Sequence, residues 1–177
     1  MKKAVVFFWV LMETSAHAQY KPVDNGSSVK FTIKNFGFGV DGSFTGLTGS
    51  IRFDPARPAD ATFDVSIDAN TVNTDNTMRD DHLRQTAYFD VKAHPHIRLL
   101  SDKISNSNKK GVFLFTGKLT IKNQTKPISF PFTVDHSNGQ YQFKGVFSVN
   151  RKDFDIGGTS TISDNLEVTL DVIAKEQ

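Results

Sequence analysis

Cysteine is missing from all 177 residues. That excludes a disulfide framework, a thiolate zinc site and a thiol nucleophile, so core packing alone has to hold the fold. Tryptophan occurs once, as Trp9, so an aromatic core must be built from something else. Neither sign of charge is in excess. With residues 1–18 set aside, 19 basic and 18 acidic side chains remain, a formal net charge of +1. Nucleic acid as main partner normally asks for a basic stripe, and none is provided. Long apolar runs are missing too: beyond residue 18 nothing approaches the ~18 residues of a membrane helix. No G-x-S-x-G elbow is present, and the serines are scattered through turns, which leaves a serine hydrolase without support.

What is present begins with MKKAVVFFWVLMETSAHAQ. Lys2 and Lys3 form a basic start, Ala4 to Met12 an apolar run too short to span a bilayer, and Ala16-His17-Ala18 a small-x-small cleavage pattern. Residues 1–18 read as a secretory signal cleaved between Ala18 and Gln19, with a periplasmic or secreted product. No cysteine follows the apolar run, so lipid attachment of the lipoprotein type is closed. The remaining 159 residues, 19–177, suit one domain that buries roughly 70% of its unfolded surface. Of the 16 phenylalanines, 14 lie in this part, so the core rests on phenylalanine and branched aliphatics.

Period-two alternation dominates that domain. Val29, Phe31 and Ile33 alternate with polar neighbours, as do Phe63, Val65 and Ile67. Ile128, Phe130, Phe132 and Val134 repeat the pattern, and Val168, Leu170 and Val172 repeat it again. Strands with one wet and one apolar face are the expected result. Further strands are expected at 39–45, 49–54, 97–104, 111–122 and 140–147, divided by turn residues such as Asp54-Pro55 and Ser137-Asn138-Gly139. Pro131 inside one run predicts an edge, a bulge or a bend. The fold class is all-β: an antiparallel sheet of about eight strands, closed into a barrel that removes its edges. Two segments break the pattern. Thr77 to Thr86 predicts a short helix across one barrel end, with Thr77 as N-cap, Asp80 and Asp81 near its positive pole and Arg84 near the other. Residues 148–165 form a connection long enough for a lid, a binding loop or a mobile piece.

Several motifs lose their chemistry in context. Gly37 to Gly42 spells G-x-G-x-x-G, but glycine-rich hairpin sequence follows where a dinucleotide site needs a helix. Asn25-Gly26-Ser27 and Asn123-Gln124-Thr125 match a glycosylation acceptor only as chance three-residue patterns do. Asp80 and Asp81 are adjacent, so on a helix they point about 100° apart and do not form a carboxylate pair. His94 and His96 would share one face of a strand, with His82 or Asp81 as a third ligand. A catalytic zinc site also needs groups that orient its ligands, and none is visible, so a solvated or structurally bonded role is the reading. The phenylalanines have two readings that composition leaves open. They fill a narrow barrel, or they line a lumen that holds one apolar ligand.

The order of segments resembles the YceI-like family, also called the polyisoprenoid- or lipid-binding family. The matching stretches are SVKFTIKNFGFG, SFTGLTGSIRFDPARPADATFDVSIDANTVNT, MRDDHLRQTAYFDVKAHPHIRL, FTGKLTIKNQTKPISFPF and FKGVFSVNRKDFDIG. Tyr88-Phe89-Asp90 stands where many members carry FFD, His94 where a tyrosine is common, and Asp155 where a glycine often follows DF. The resemblance implies a lipocalin-like antiparallel barrel with a helix near one opening and an elongated apolar cavity. It implies a periplasmic binding protein for long isoprenoid chains, such as quinones or polyprenyl phosphates, and it supplies no catalytic motif. No cofactor is expected beyond such a bound lipid or quinone.

On this reading the protein is a carrier or reservoir and not an enzyme. Phe31, Phe63, Phe113, Phe115, Phe132, Phe143 and Phe147 are the candidate lumen contacts. Arg79, Arg84, Arg151 and Lys152 are the candidates for a head group at the opening. The alternatives are a metal-assisted hydrolase or isomerase using His82, His94 and His96, or a filled barrel acting through protein contacts, for instance as a homodimer. Exported protein is expected to begin at Gln19. Intact mass of the product from the periplasm checks this, and a retained leader would refute it.

Overall fold

The computed structural model describes residues 18–158 and 161–177, so the leader assigned to residues 1–18, Ala18 excepted, lies outside the described residues. Nine strands and one α-helix follow in order. They are β1 Gln19–Asn35, β2 Phe38–Phe44, β3 Thr48–Arg52, β4 Thr62–Asp68, α1 Thr77–Leu83, β5 His96–Asn106, β6 Val112–Ile121, β7 Gln124–Ser137, β8 Gln140–Asn150 and β9 Ile162–Glu176. Every strand pairing is antiparallel.

Strand β1 is the seam. Along one edge it pairs with β9 from Tyr20 to Asn35. Along the other it pairs first with β3, at Gln19 and Tyr20, and then with β2, from Val29 to Asn35. β2 and β3 are therefore two pieces of one flank, bent apart at Thr45–Leu47. The ring closes through eight strands, β1 and β3 to β9. Gly46 makes the bend with φ +76°, and the N–H groups of Gly46 and Leu47 donate to the Asp24 carboxylate at 3.1 and 2.9 Å. Among the described residues the outer edge of β2 is met by a single bridge, Ser43 to Asn73.

β1 starts ten residues before Val29, the first residue whose alternation marks a strand. Its register with β9 jumps between Val23 and Ser28, and this bulge hides the period of two. Ser27 holds the bulge: its hydroxyl donates to the Val23 carbonyl and accepts from the Ile173 N–H. The serine of the Asn25-Gly26-Ser27 pattern thus has a structural use. Pro131 neither bends nor bulges β7, whose register with β6 is unbroken from Gln124 to Thr133. It lies one residue outside the β7–β8 ladder, which runs only from Phe132 to Ser137, so its missing N–H leaves no ladder bond unmade.

Alternation sorts the side chains as expected. On β6, Phe113, Phe115, Leu119 and Ile121 are buried while Leu114, Thr116 and Lys118 face out. At the end where β4, β6 and β8 begin, the inward rings meet and fill the barrel. Phe53, just past β3, is the hub, with ring centroids between 5.1 and 6.2 Å from Phe63, Phe113, Phe132, Tyr141 and Phe143. All five contacts are edge-on, the arrangement the ring quadrupoles favour. Burial pushes the Tyr141 phenol up from its ordinary value, as expected for a polar tip inside this plug. Phe53→Ala is expected to cost about 3–5 kcal/mol, the range for a large buried aromatic with little room to relax. Urea unfolding measures it, and a loss below about 1 kcal/mol would show that the plug is not a packed unit.

Candidate ligand cavity and its rim

Beyond the plug the barrel is hollow, with a cavity of about 510 Å³. Its floor is the inner face of the plug: Phe63, Phe115, Phe132 and Phe143. Its walls are inward positions of the strands, among them Ile51, Val65, Leu99, Leu119, Val168 and Leu170. The phenylalanines thus pack against one another at one end of the barrel and line a cavity at the other. Phe31 lines the cavity over Gly42, its register partner; a Cβ on Gly42 would come within 2.2 Å of the ring, so a larger residue there would have to push the ring aside.

Two irregular pieces cover the hollow end. The first is α1 with its flanks. Asn76, not Thr77, is the N-cap, its side chain accepting from the Arg79 N–H at 3.0 Å. Asp80 is buried and anchors the helix to the preceding chain, accepting from the Thr74 N–H at 2.9 Å and from the Thr74 hydroxyl. Asp81 points elsewhere and pairs with Arg84 at 3.0 Å, as adjacent helical positions require. After the helix, Tyr88 and Phe89 turn back into the barrel and line the cavity, Phe89 edge-on to Phe44 at 5.4 Å.

The second piece is the 148–165 segment. β8 takes its first residues, a short 3-10 turn spans Arg151–Phe154, and β9 begins at Ile162. Phe154 and Ile156 are buried against Leu119, Ile121 and Val149. Arg151 organises the connection. Only 4% exposed, it donates to the carbonyls of Ile156, Gly157, Gly158, Ile162 and Ser163 and pairs with Asp164 at 3.2 Å. The two covers are joined: the Gly157 N–H donates to the Ala87 carbonyl at 2.7 Å, and Lys122 Nζ donates to the Thr86 and Asp155 carbonyls at 3.2 and 3.0 Å. An opening remains between α1 and the tip of the β1–β2 hairpin, rimmed by Asn35, Val40, Asn76, Met78, Arg79 and His82.

Of the seven candidate lumen phenylalanines, Phe31, Phe63, Phe115, Phe132 and Phe143 line the cavity. Phe113 does not; it lies in the plug against Phe53 and Phe132. Phe147 does not either, being stacked on Phe130 at 4.5 Å so that Phe130 presents to the cavity instead. Phe130 and Phe44 sat on predicted strands with inward parity, so that parity was the signal that could have found them; Tyr88 and Phe89 have no parity, but as the apolar pair that follows the predicted helix they read as the return into the barrel, and there they are.

Among the four basic candidates only Arg79 stands at the rim with its charge near the opening. Its Nε and Nη2 donate to the Thr74 hydroxyl and carbonyl at 2.7 and 2.6 Å. Nη1 makes no bond among the described residues. Arg84 is off the cavity, tied to the carbonyls of Asn70 and Val72 at 2.9 and 3.0 Å. Arg151 touches the cavity but commits its guanidinium to the connection, and Lys152 is exposed outside it, paired with Asp164 at 3.1 Å.

The histidines do not assemble. His82 is at the rim, His94 lies in the turn before β5, and His96 opens β5 opposite Asp68 on the outside. Among the described residues no three of His, Cys, Asp or Glu converge in a metal-binding group. The charged residues lining the cavity, Lys30, Arg79, Lys144 and Arg151, are all basic, and among the described residues no carboxylate lines it. The Asp64 carboxyl, held below its ordinary value by its hydrogen bond to Arg98, is on the outer wall.

A closed antiparallel barrel, filled with rings at one end and hollow and apolar at the other, is a lipocalin-like barrel suited to a hydrophobic ligand. The chain belongs to the YceI-like domain family, whose model matches residues 20–174. It is similar to a UPF0312 protein of Pectobacterium carotovorum, 30% identical over 148 residues that make up 78% of this chain and 76% of that one. Its fold matches the crystal structure of Burkholderia cenocepacia BcnA with a TM-score of 0.80 at 25% identity, over 85% of this chain and 98% of that one. It also matches a polyisoprenoid binding domain from Saccharophagus degradans implicated in plant cell wall breakdown, with a TM-score of 0.70. At 14% identity over 89% of this chain and 98% of that one, this likeness concerns the fold.

Arg151→Met is expected to lower stability by about 2–4 kcal/mol, because it strips the partners from several carbonyls at once. Amide exchange in 155–158 and 161–164 is expected to quicken with it. Lys152→Ala, which breaks only an exposed pair, is expected to cost under about 1 kcal/mol. Equal effects of the two in urea unfolding would refute the assignment of Arg151 to the fold.

Proposed function

We propose that this protein is an exported carrier or reservoir that encloses the isoprenoid tail of an amphiphile, of the quinone or polyprenyl phosphate type. The observation that supports it is the apolar cavity with an aromatic floor and a rim whose charged groups are basic. Export rests on the leader read in residues 1–18. Binding works by burial. Each methylene moved from water into the cavity contributes ~0.8 kcal/mol, so a tail needs no directed contact to be held. The head group stays at the opening. Arg79, fixed by Thr74, is the group that meets it, and a phosphate suits that guanidinium better than a quinone ring does.

Volume bounds the tail. A 150 Å³ apolar cavity holds one benzene, and by that ratio 510 Å³ holds about 20 carbon atoms, or roughly four isoprene units. A longer chain lies partly outside the rim, because the plug blocks the far end of the barrel. Affinity across a series of prenyl phosphates is therefore expected to rise about fourfold per added methylene up to ~20 carbons and then level off. Fluorescence competition or calorimetry reads the series, and mass spectrometry of lipid extracted from gently purified protein identifies the natural occupant. Absence of lipid from the purified protein, together with no binding of any prenyl phosphate or quinone, would end the carrier reading.

A further inference from the structure

Among the described residues five large apolar side chains are exposed, Phe36, Phe38, Met78, Leu114 and Val146. Leu114 and Val146 sit singly on the outer wall. Of the other three, 73, 78 and 73% exposed, Met78 lines the cavity from α1, and Phe36 and Phe38 lie on the hairpin that carries the lining residues Asn35 and Val40. Phe36 and Phe38 flank Gly37 at the tip of the β1–β2 hairpin. Phe38 is the register partner of the rim residue Asn35, and Met78 lines the opening from α1. The fold does not ask for phenylalanine there. Phe36 and Gly37 have φ of +49° and +84°, the tight hairpin conformation that favours Asn-Gly. A bulky residue in the left-handed region, with its ring in water, is unfavourable twice over. A strained, exposed aromatic beside a cavity opening is a pointer to function.

We infer that Phe36, Phe38 and Met78 seat the opening of the barrel on a lipid surface, so that an apolar tail passes between lipid and cavity without crossing water. The inference uses the carrier reading for the cargo but stands on separate observations for the surface. The area argues against a second protein chain. Three side chains of this size and exposure offer on the order of 450 Å², whereas a stable protein interface takes about 800 Å² from each partner. A bilayer interface, by contrast, accepts aromatic side chains one at a time at head-group depth. The charges around the opening suit it as well. Arg79 and His82 line it, and among the described residues no carboxylate lines the cavity, which favours anionic head groups.

The test is co-flotation of the purified protein with phosphatidylcholine vesicles, with and without phosphatidylglycerol. The protein is expected to float with both, more with the anionic ones. The double variant Phe36→Ser/Phe38→Ser is expected to bind vesicles about tenfold less or weaker still, since two exposed rings no longer enter the interface. Its unfolding midpoint and its affinity for geranylgeranyl phosphate in solution are expected to stay unchanged, because neither ring lines the cavity. Failure of the wild type to bind either vesicle would overturn the inference, as would undiminished binding by the variant. A wild-type dimer in sedimentation that the double variant abolishes would also overturn it, and make a second copy the occupant. Vesicle binding without any binding of geranylgeranyl phosphate would leave the docking surface standing and remove the cargo.

Discussion

Closure through β1 is the constraint on which the rest depends. One strand has to satisfy β9 on one edge and both β3 and β2 on the other, and it does so by being 17 residues long with a bulge after Val23. Once the ring is closed, every second side chain is committed to an interior without water. That interior is either packed or left empty at a size that only an apolar guest suits. This barrel divides the task along its axis. Rings around Phe53 fill the end where β4, β6 and β8 begin, and aliphatic and aromatic positions nearer α1 leave the hollow.

The covers of the hollow end show how polar groups can belong to an apolar cavity without facing into it. Asp80 and Arg151 are both buried, and each answers backbone groups that would otherwise be unpaired. A guanidinium is well suited to gathering carbonyls, because its donors form a rigid planar fan. The 148–165 segment therefore stands on one side chain more than on secondary structure of its own. Arg84 and Arg151, committed to backbone carbonyls in this way, are withdrawn from the opening, and of the four basic candidates Arg79 is the one left at it.

Much of the fold was legible because period-two alternation survives wherever a strand has one wet face. It failed in β1 before Val29, where the bulge breaks parity, and at the helix cap, where Asn76 and Thr77 are both competent and one residue decides. The site was legible in kind and less so in detail. Parity put Phe113 and Phe147 on the inside, and they are inside. Whether an inward ring meets a cavity or another ring depends on its height along the barrel axis. That height follows from strand stagger and from partners such as Phe53 and Phe130, which lie far away in sequence.

What the sequence determined by itself is a cysteine-free, phenylalanine-rich antiparallel barrel of the YceI-like family with an interruption over one end. Composition, alternation and motif order carry that information locally. Tertiary structure alone decided that the barrel is half filled and half hollow, that Arg151 belongs to the fold while Arg79 belongs to the rim, and that the exposed Met78 lines the same cavity as the hairpin that carries Phe36 and Phe38. The reason is physical: volume, burial and convergence are set by which strands lie side by side, and no single strand contains that information.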